Sequence, residues 1–130
     1  MKRVVQGEYS LTKTWGWSIL EQRFNLPHEQ PMRSLIQQIA KSRFSEGIFG
    51  TTSLFDLIIV QKPIFEMGRD ELRVSMTSTG RIHFKYVESA WLKKNFETES
   101  ASGDAFAKFE LIMINRLKWF FSEVQTNSND

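Results

Sequence analysis

Residues 71–88, ELRVSMTSTGRIHFKYVE, alternate apolar and polar positions on both sides of a short polar break. Period-two alternation predicts two strands with one buried face each, and the break predicts a hairpin turn. Residues opposed across a hairpin lie on the same face of the sheet. Pairing Met76 with Ile82, Val74 with Phe84 and Leu72 with Tyr86 puts all six apolar side chains on one side. That register leaves Ser78, Thr79 and Gly80 as a three-residue loop, with glycine where the backbone turns left-handed. A two-residue loop at Thr79 and Gly80 would set Met76 against His83 and split the faces, so the first register is the predicted one.

The same register fixes the outer face. It pairs Thr77 with Arg81, Ser75 with His83 and Arg73 with Lys85. Like charges directly opposite are unfavourable by up to about 1 kcal/mol. The Arg73/Lys85 pair therefore calls for an offset: an acid of the chain such as Asp56, Glu66 or Asp70, a helix C-terminus, or an acidic partner.

Upstream, residues 54–60 (LFDLIIV) are apolar on both faces except at Asp56, which predicts a central or covered strand. Residues 14–24 (TWGWSILEQRF) read as a helix with Trp15 and Ile19 one turn apart, weakened by Gly16 and ended by Asn25-Leu26-Pro27. A second helix starts at Pro31, stripes Met32, Leu35, Ile36, Ile39 and Ala40, and stops at Gly47 after Phe44. The stretches SEGIFGTTS and QKPIFEMGRD read as a loop and a long connection. Residues 3–9 read as a short edge strand or a tail, and residues 90–95 as a short helical turn.

The longest periodic signal is C-terminal. Ser102 or Asp104 is the expected cap of a helix running to about residue 124, followed by a polar tail over residues 125–130. Phe106, Phe109, Met113, Leu117, Phe120 and Val124 share one stripe, with Lys108, Asn115, Lys118 and Ser122 opposite. Ile112 and Trp119 fall outside that stripe with Arg116 between them, so this edge is either covered by the chain itself or meets another chain.

The predicted order is α-α-β-β-β-α in one domain over residues 1–130. It is an α+β two-layer sandwich in which a small antiparallel meander, with a possible N-terminal edge strand, is covered on one face by helices. The length of 130 residues, 41% hydrophobic and 25% charged, suits a single soluble core. Eleven phenylalanines and four tryptophans make that core aromatic. A net charge of +2 is too small to mark a polyanion binder by itself. With no cysteine there is no disulfide framework, thiolate metal site or cysteine nucleophile. The basic start MKRVVQ lacks an apolar segment after it, and no run reaches the length of a membrane span, so a cytoplasmic and bacterial protein is expected.

Candidate chemistry is sparse. His28 and His83 have no metal-ligand spacing; no Gly-x-Ser-x-Gly elbow or phosphate loop occurs, and no cofactor is expected. Ser75 beside His83 is the nearest approach to a catalytic pair and supports only a minor alternative, a small hydrolase-like enzyme. A nucleic-acid-binding domain using the basic hairpin face is the other alternative. The order from Pro31 onward is that of a double-stranded RNA-binding domain. However, the last helix starts with SGDAFAKF instead of a lysine cluster, and Phe84 and Tyr86 face the core. The favoured expectation is a non-enzymatic protein-interaction module of inhibitor, immunity or adaptor type. Its partner is another protein, acidic in character, or a second copy. The expected binding residues are Arg73, Ser75, Arg81, His83 and Lys85 on the sheet, and Trp119 and Ile112 on the helix edge.

Overall fold

A computed structural model of the chain describes residues 11–62, 64–66, 70–87 and 95–117. Seven strands are present among them: β1 (Leu11–Lys13), β2 (Phe49–Ser53), β3 (Asp56–Val60), β4 (Ile64–Glu66), β5 (Glu71–Met76), β6 (Ile82–Val87) and β7 (Phe96–Ser100). The helices are α1 (Trp17–Gln22), α2 (Gln30–Ala40) and α3 (Ala105–Leu111), the last continued by a π-helical segment, Ile112–Leu117. Strands β2-β3-β5-β6-β7 form one antiparallel sheet, and β1 pairs with β4 in a separate two-stranded ribbon. This is the predicted two-layer α+β class, with a meander of five strands where three were expected.

The hairpin adopts the predicted register. Met76 faces Ile82, Val74 faces Phe84, and Leu72 faces Tyr86. Gly80 has φ +83, and the Thr77 N–H donates to Arg81 O at 2.8 Å to close the loop. Strand β3 joins the other side of β5, setting Leu57 opposite Val74 and Ile59 opposite Leu72. These inward residues make one core with Phe24, Met32, Leu35, Ile36 and Ile39 from the helix layer and with Phe109 and Met113 from α3 and its π-helical continuation. Phe44 meets Phe109 edge to face at 5.6 Å, which ties the turn after α2 to the last helix. On the opposite face of the sheet, Ile58 and Val60 are also buried, with Phe49 against them. That explains why residues 57–60 are apolar without alternation: β3 is covered on both sides.

Three strands, β2, β4 and β7, occupy segments where no strand was expected. Phe49-Gly50-Thr51-Thr52-Ser53 forms β2, in which Gly50 serves packing and not a turn. A Cβ there would lie 2.6 Å from Leu20 Cδ1, so a side chain at this position would displace the buried Leu20 of α1. The connection after β3 contains β4. Phe96-Glu97-Thr98-Glu99-Ser100 forms β7, whose inward positions Thr98 and Ser100 are hydroxyl residues and hide the alternation.

The helices differ from expectation mainly at their ends. Gly16 stands before α1 at its N-cap, outside the helix interior. Helix α2 has Pro31 in its first turn but stops at Ala40. Ser42 then caps a 3-10 turn, Arg43–Glu46, ahead of Gly47. Asp104 precedes α3 but makes no side-chain cap, and Ser102 opens a 3-10 turn instead. The buried set on the last helix is Ala105, Phe109, Ile112 and Met113, which is i, i+4, i+7 and i+8. The stripe is anchored by the small Ala105 instead of Phe106, and that rotates it to include Ile112. The π-helical turn then adds a residue per turn, which leaves Leu117 partly buried and Arg116 exposed. Residues 3–9, 90–94 and 118–130, with the expected edge strand, the helical turn, Trp119, Phe120 and Val124, lie outside the described residues.

Candidate functional site

The expected binding face is the outer side of β5 and β6, and β7 changes its character. Register places Glu97 opposite Lys85 and Glu99 opposite His83. The side-chain contacts run diagonally: Arg81 Nε reaches Glu99 at 2.8 Å, and His83 Nε2 lies 2.9 Å from Glu97. Arg73 is held by Glu71, whose side chain is nearly buried, and has Asp56 at 3.4 Å. The offset demanded by the Arg73/Lys85 pair is thus supplied within the chain, partly by Asp56 as anticipated. The face is a mixed-charge lattice in place of a bare cationic one. Lys85 has no ion pair among the described residues.

Ser75 and His83 are register partners, as predicted. No hydrogen bond joins their side chains among the described residues, and the acid on His83, Glu97, is largely exposed. The imidazole is placed to bridge strands. On the C-terminal helix, Ile112 is 3% exposed and belongs to the core, so that part of the expected edge is covered by the chain itself.

A different site emerges at one end of the sandwich, where an open cleft of about 690 Å³ lies between the start of α2, the β2–β3 turn and the β5–β6 loop. Its apolar lining comes from Phe24, Met32, Met76 and Phe55, joined by His28, Glu29 and Asp56. One wall is built by local capping. Pro27, His28 and Glu29 make a 3-10 turn in which Glu29 Oε1 accepts the Leu26 N–H at 3.1 Å, while Glu29 N–H donates to Leu26 O at 2.9 Å. Arg33 locks the preceding loop by donating to the carbonyls of Phe24 and Leu26 and to Gln30 Oε1. The signal for this wall was present in Leu26-Pro27-His28-Glu29, a proline opening a turn with glutamate at its third position.

The rim of the cleft carries the most exposed apolar pair of the described chain. Ser53 pairs with Asp56, leaving residues 54–55 as a two-residue hairpin loop. Leu54 is 92% exposed and Phe55 73% exposed. Leu54 also has φ 54, the one positive-φ residue other than glycine among the described residues. A two-residue hairpin needs positive φ at its first central position and normally uses glycine there. The sequence expectation placed both residues in the strand, because nothing in Ser-Leu-Phe-Asp resembles turn chemistry.

Among the described residues, no group of three or more His, Asp or Glu side chains could hold a metal ion, and no helix is long and apolar enough to cross a membrane. Comparison with protein-family models, curated proteins and solved structures finds no match for this chain.

Proposed function

We propose that the chain is a small non-enzymatic protein-binding module, of the inhibitor, immunity or adaptor kind, and that it grips its partner with Leu54 and Phe55. The observation that carries this reading is the turn at Leu54: a fully exposed leucine in a left-handed conformation. Non-glycine residues pay about 1–2 kcal/mol for that backbone region, and glycine would remove the strain. An exposed leucine beside an exposed phenylalanine adds apolar surface left in water. Both disadvantages are local, and neither side chain supports the core. Each would contribute roughly 1.5–3 kcal/mol on burial against a partner, the scale of an interface anchor.

The outer sheet face is a weaker candidate than the sequence suggested, because Glu71, Asp56, Glu97 and Glu99 already offset its cations. The partner surface is therefore moved to the end of the sandwich, where the β2–β3 turn projects beside a preformed cleft. The test is affinity capture from the native cell, read by mass spectrometry with and without nuclease. Wild-type chain and the variant Leu54→Ser/Phe55→Ser are compared. The reading expects one protein in stoichiometric amount, insensitive to nuclease and lost with the variant. Nucleic acid as the captured species, or equal capture by the variant, overturns it.

A further inference from the structure

Leu54 and Phe55 sit on a rigid base. The β2–β3 ladder is paired at every position from Phe49 and Val60 to Ser53 and Asp56. Its root is fixed on both sides, by Leu57 and Ile59 in the main core and by Ile58 and Val60 on the opposite face. Ser53, Leu54 and Phe55 are all exposed, so the tip stands clear of the sheet. Such a tip is convex, and only a concave surface covers a side chain that is 92% exposed. Being preorganised, it also loses little conformational entropy on entering one.

The surroundings of the tip decide what that surface is. No lysine or arginine lines the cleft at its foot, and Arg73, which reaches Asp56 at 3.4 Å, is held by Glu71. An anionic lipid surface or a phosphate backbone is drawn by clustered lysine and arginine, and Ser53-Leu54-Phe55-Asp56 offers none. A second copy presents no suitable pocket in its own cleft. Phe24 and Met32, which line it, are 2% and 1% exposed and give almost no apolar surface. A second depression is bordered by Lys41, Arg43 and Glu110, charges that an entering apolar side chain would desolvate.

We propose that Leu54 and Phe55 enter an uncharged apolar pocket of another protein, so that the chain acts as a plug. This rests on the protein-binding reading above and deepens it. The partner is a different protein with a cavity, and the chain is of the inhibitor kind, not an adaptor laid across a flat surface. The left-handed leucine fits this role. Strained backbone persists where the surrounding structure holds it, and it clusters at functional contacts. Here the paired strands below the turn hold it, and both apolar side chains are delivered at one tip. Glycine at this position would relieve the strain and leave the pocket half-filled.

The first test is an NMR titration of the isotopically labelled full chain. β-Cyclodextrin, a neutral ring with an apolar bore, stands in for the pocket. Mixed phosphatidylcholine and phosphatidylserine vesicles stand for a membrane, and the chain alone at rising concentration reports a second copy. Expected are saturable amide shifts centred on residues 53–56 with cyclodextrin, at an affinity on the order of millimolar for so small a probe. No vesicle binding and no self-association are expected. Leu54→Ser/Phe55→Ser should lose the cyclodextrin response, with unshifted β6 amides certifying its fold. No response at the tip, vesicle binding, or dimerisation that the double variant abolishes overturns the proposal. The second test measures affinity for the captured protein after its purification. Leu54→Met, which conserves volume, should bind nearly as wild type, whereas Phe55→Trp should bind roughly tenfold more weakly because a closed pocket excludes the larger ring. Phe55→Trp binding at wild-type strength or better shows a flat contact and overturns the pocket, leaving the protein-binding reading intact. Equal binding by the double serine variant overturns that reading itself.

Discussion

His83 Nε2 lies 2.9 Å from Glu97, although the residue directly across the ladder from Glu97 is Lys85. The same diagonal step joins Arg81 to Glu99, which faces His83. Arg81 and His83 therefore each reach the acid opposite the next outward residue of the hairpin, and the acids of an edge strand engage two of its basic side chains. Both partners of the Arg81–Glu99 pair are half-exposed, so the pair is screened by solvent. We expect Glu99→Gln to lower stability by no more than about 0.5 kcal/mol in low salt, and by less still in high salt. Chemical denaturation at two ionic strengths measures this. A loss that persists in high salt would point to packing and not charge.

Arg73 presents the contrasting case. Its partner Glu71 is nearly buried, whereas Arg73 and Asp56 are each about one-third exposed. Replacing Glu71 with glutamine leaves the guanidinium short of its closest countercharge beside Lys85. The expected destabilisation is about 1–3 kcal/mol, clearly larger than for Glu99→Gln. Comparing the two variants in urea decides whether burial ranks these pairs.

Gly50 tests the packing of α1. A methyl group there meets Leu20 Cδ1 at 2.6 Å, and Leu57 and Trp17 at 3.5 Å. Because Leu20 is wholly buried it has little room to yield. Gly50→Ala should cost about 1–3 kcal/mol. Gly103→Ala, which meets nothing within 4 Å, is the control and should be near neutral. Equal effects from both would remove the close-approach argument.

Gly80 tests the hairpin loop. At φ +83 it occupies the left-handed region, with nothing within 4 Å of an added Cβ. The penalty for Gly80→Ala is therefore conformational, about 1–2 kcal/mol, and Gly80→Asn should recover part of it because asparagine tolerates that region. Thermal unfolding of the two variants gives the order.

The residues that specified the fold locally were legible in the sequence. Strict alternation around Ser78-Thr79-Gly80 set the β5–β6 register, and the unbroken apolar run at residues 57–60 marked a strand covered on both sides. The strands at Phe49–Ser53 and Phe96–Ser100 were hidden because their patterns serve neighbours: Gly50 accommodates Leu20, while Thr98 and Ser100 occupy inward positions that usually carry apolar residues. The cleft was not legible because no single segment makes it. Phe24, Glu29, Phe55 and Met76 are brought together only when the helix layer and two turns meet at one end of the sheet. Leu54 was misplaced for a simpler reason. An apolar residue next to an apolar strand carries no sign that its backbone turns left-handed.

The proposed binding turn is tested most directly by Leu54→Gly, with thermal unfolding and partner capture measured on the same preparation. Glycine suits the backbone of Leu54 and deletes its side chain, so stability and binding should move in opposite directions. We expect unfolding to shift upward by about 2–5 °C and capture of the partner to fall roughly tenfold. A chain that becomes more stable and binds as before would contradict the role assigned to Leu54.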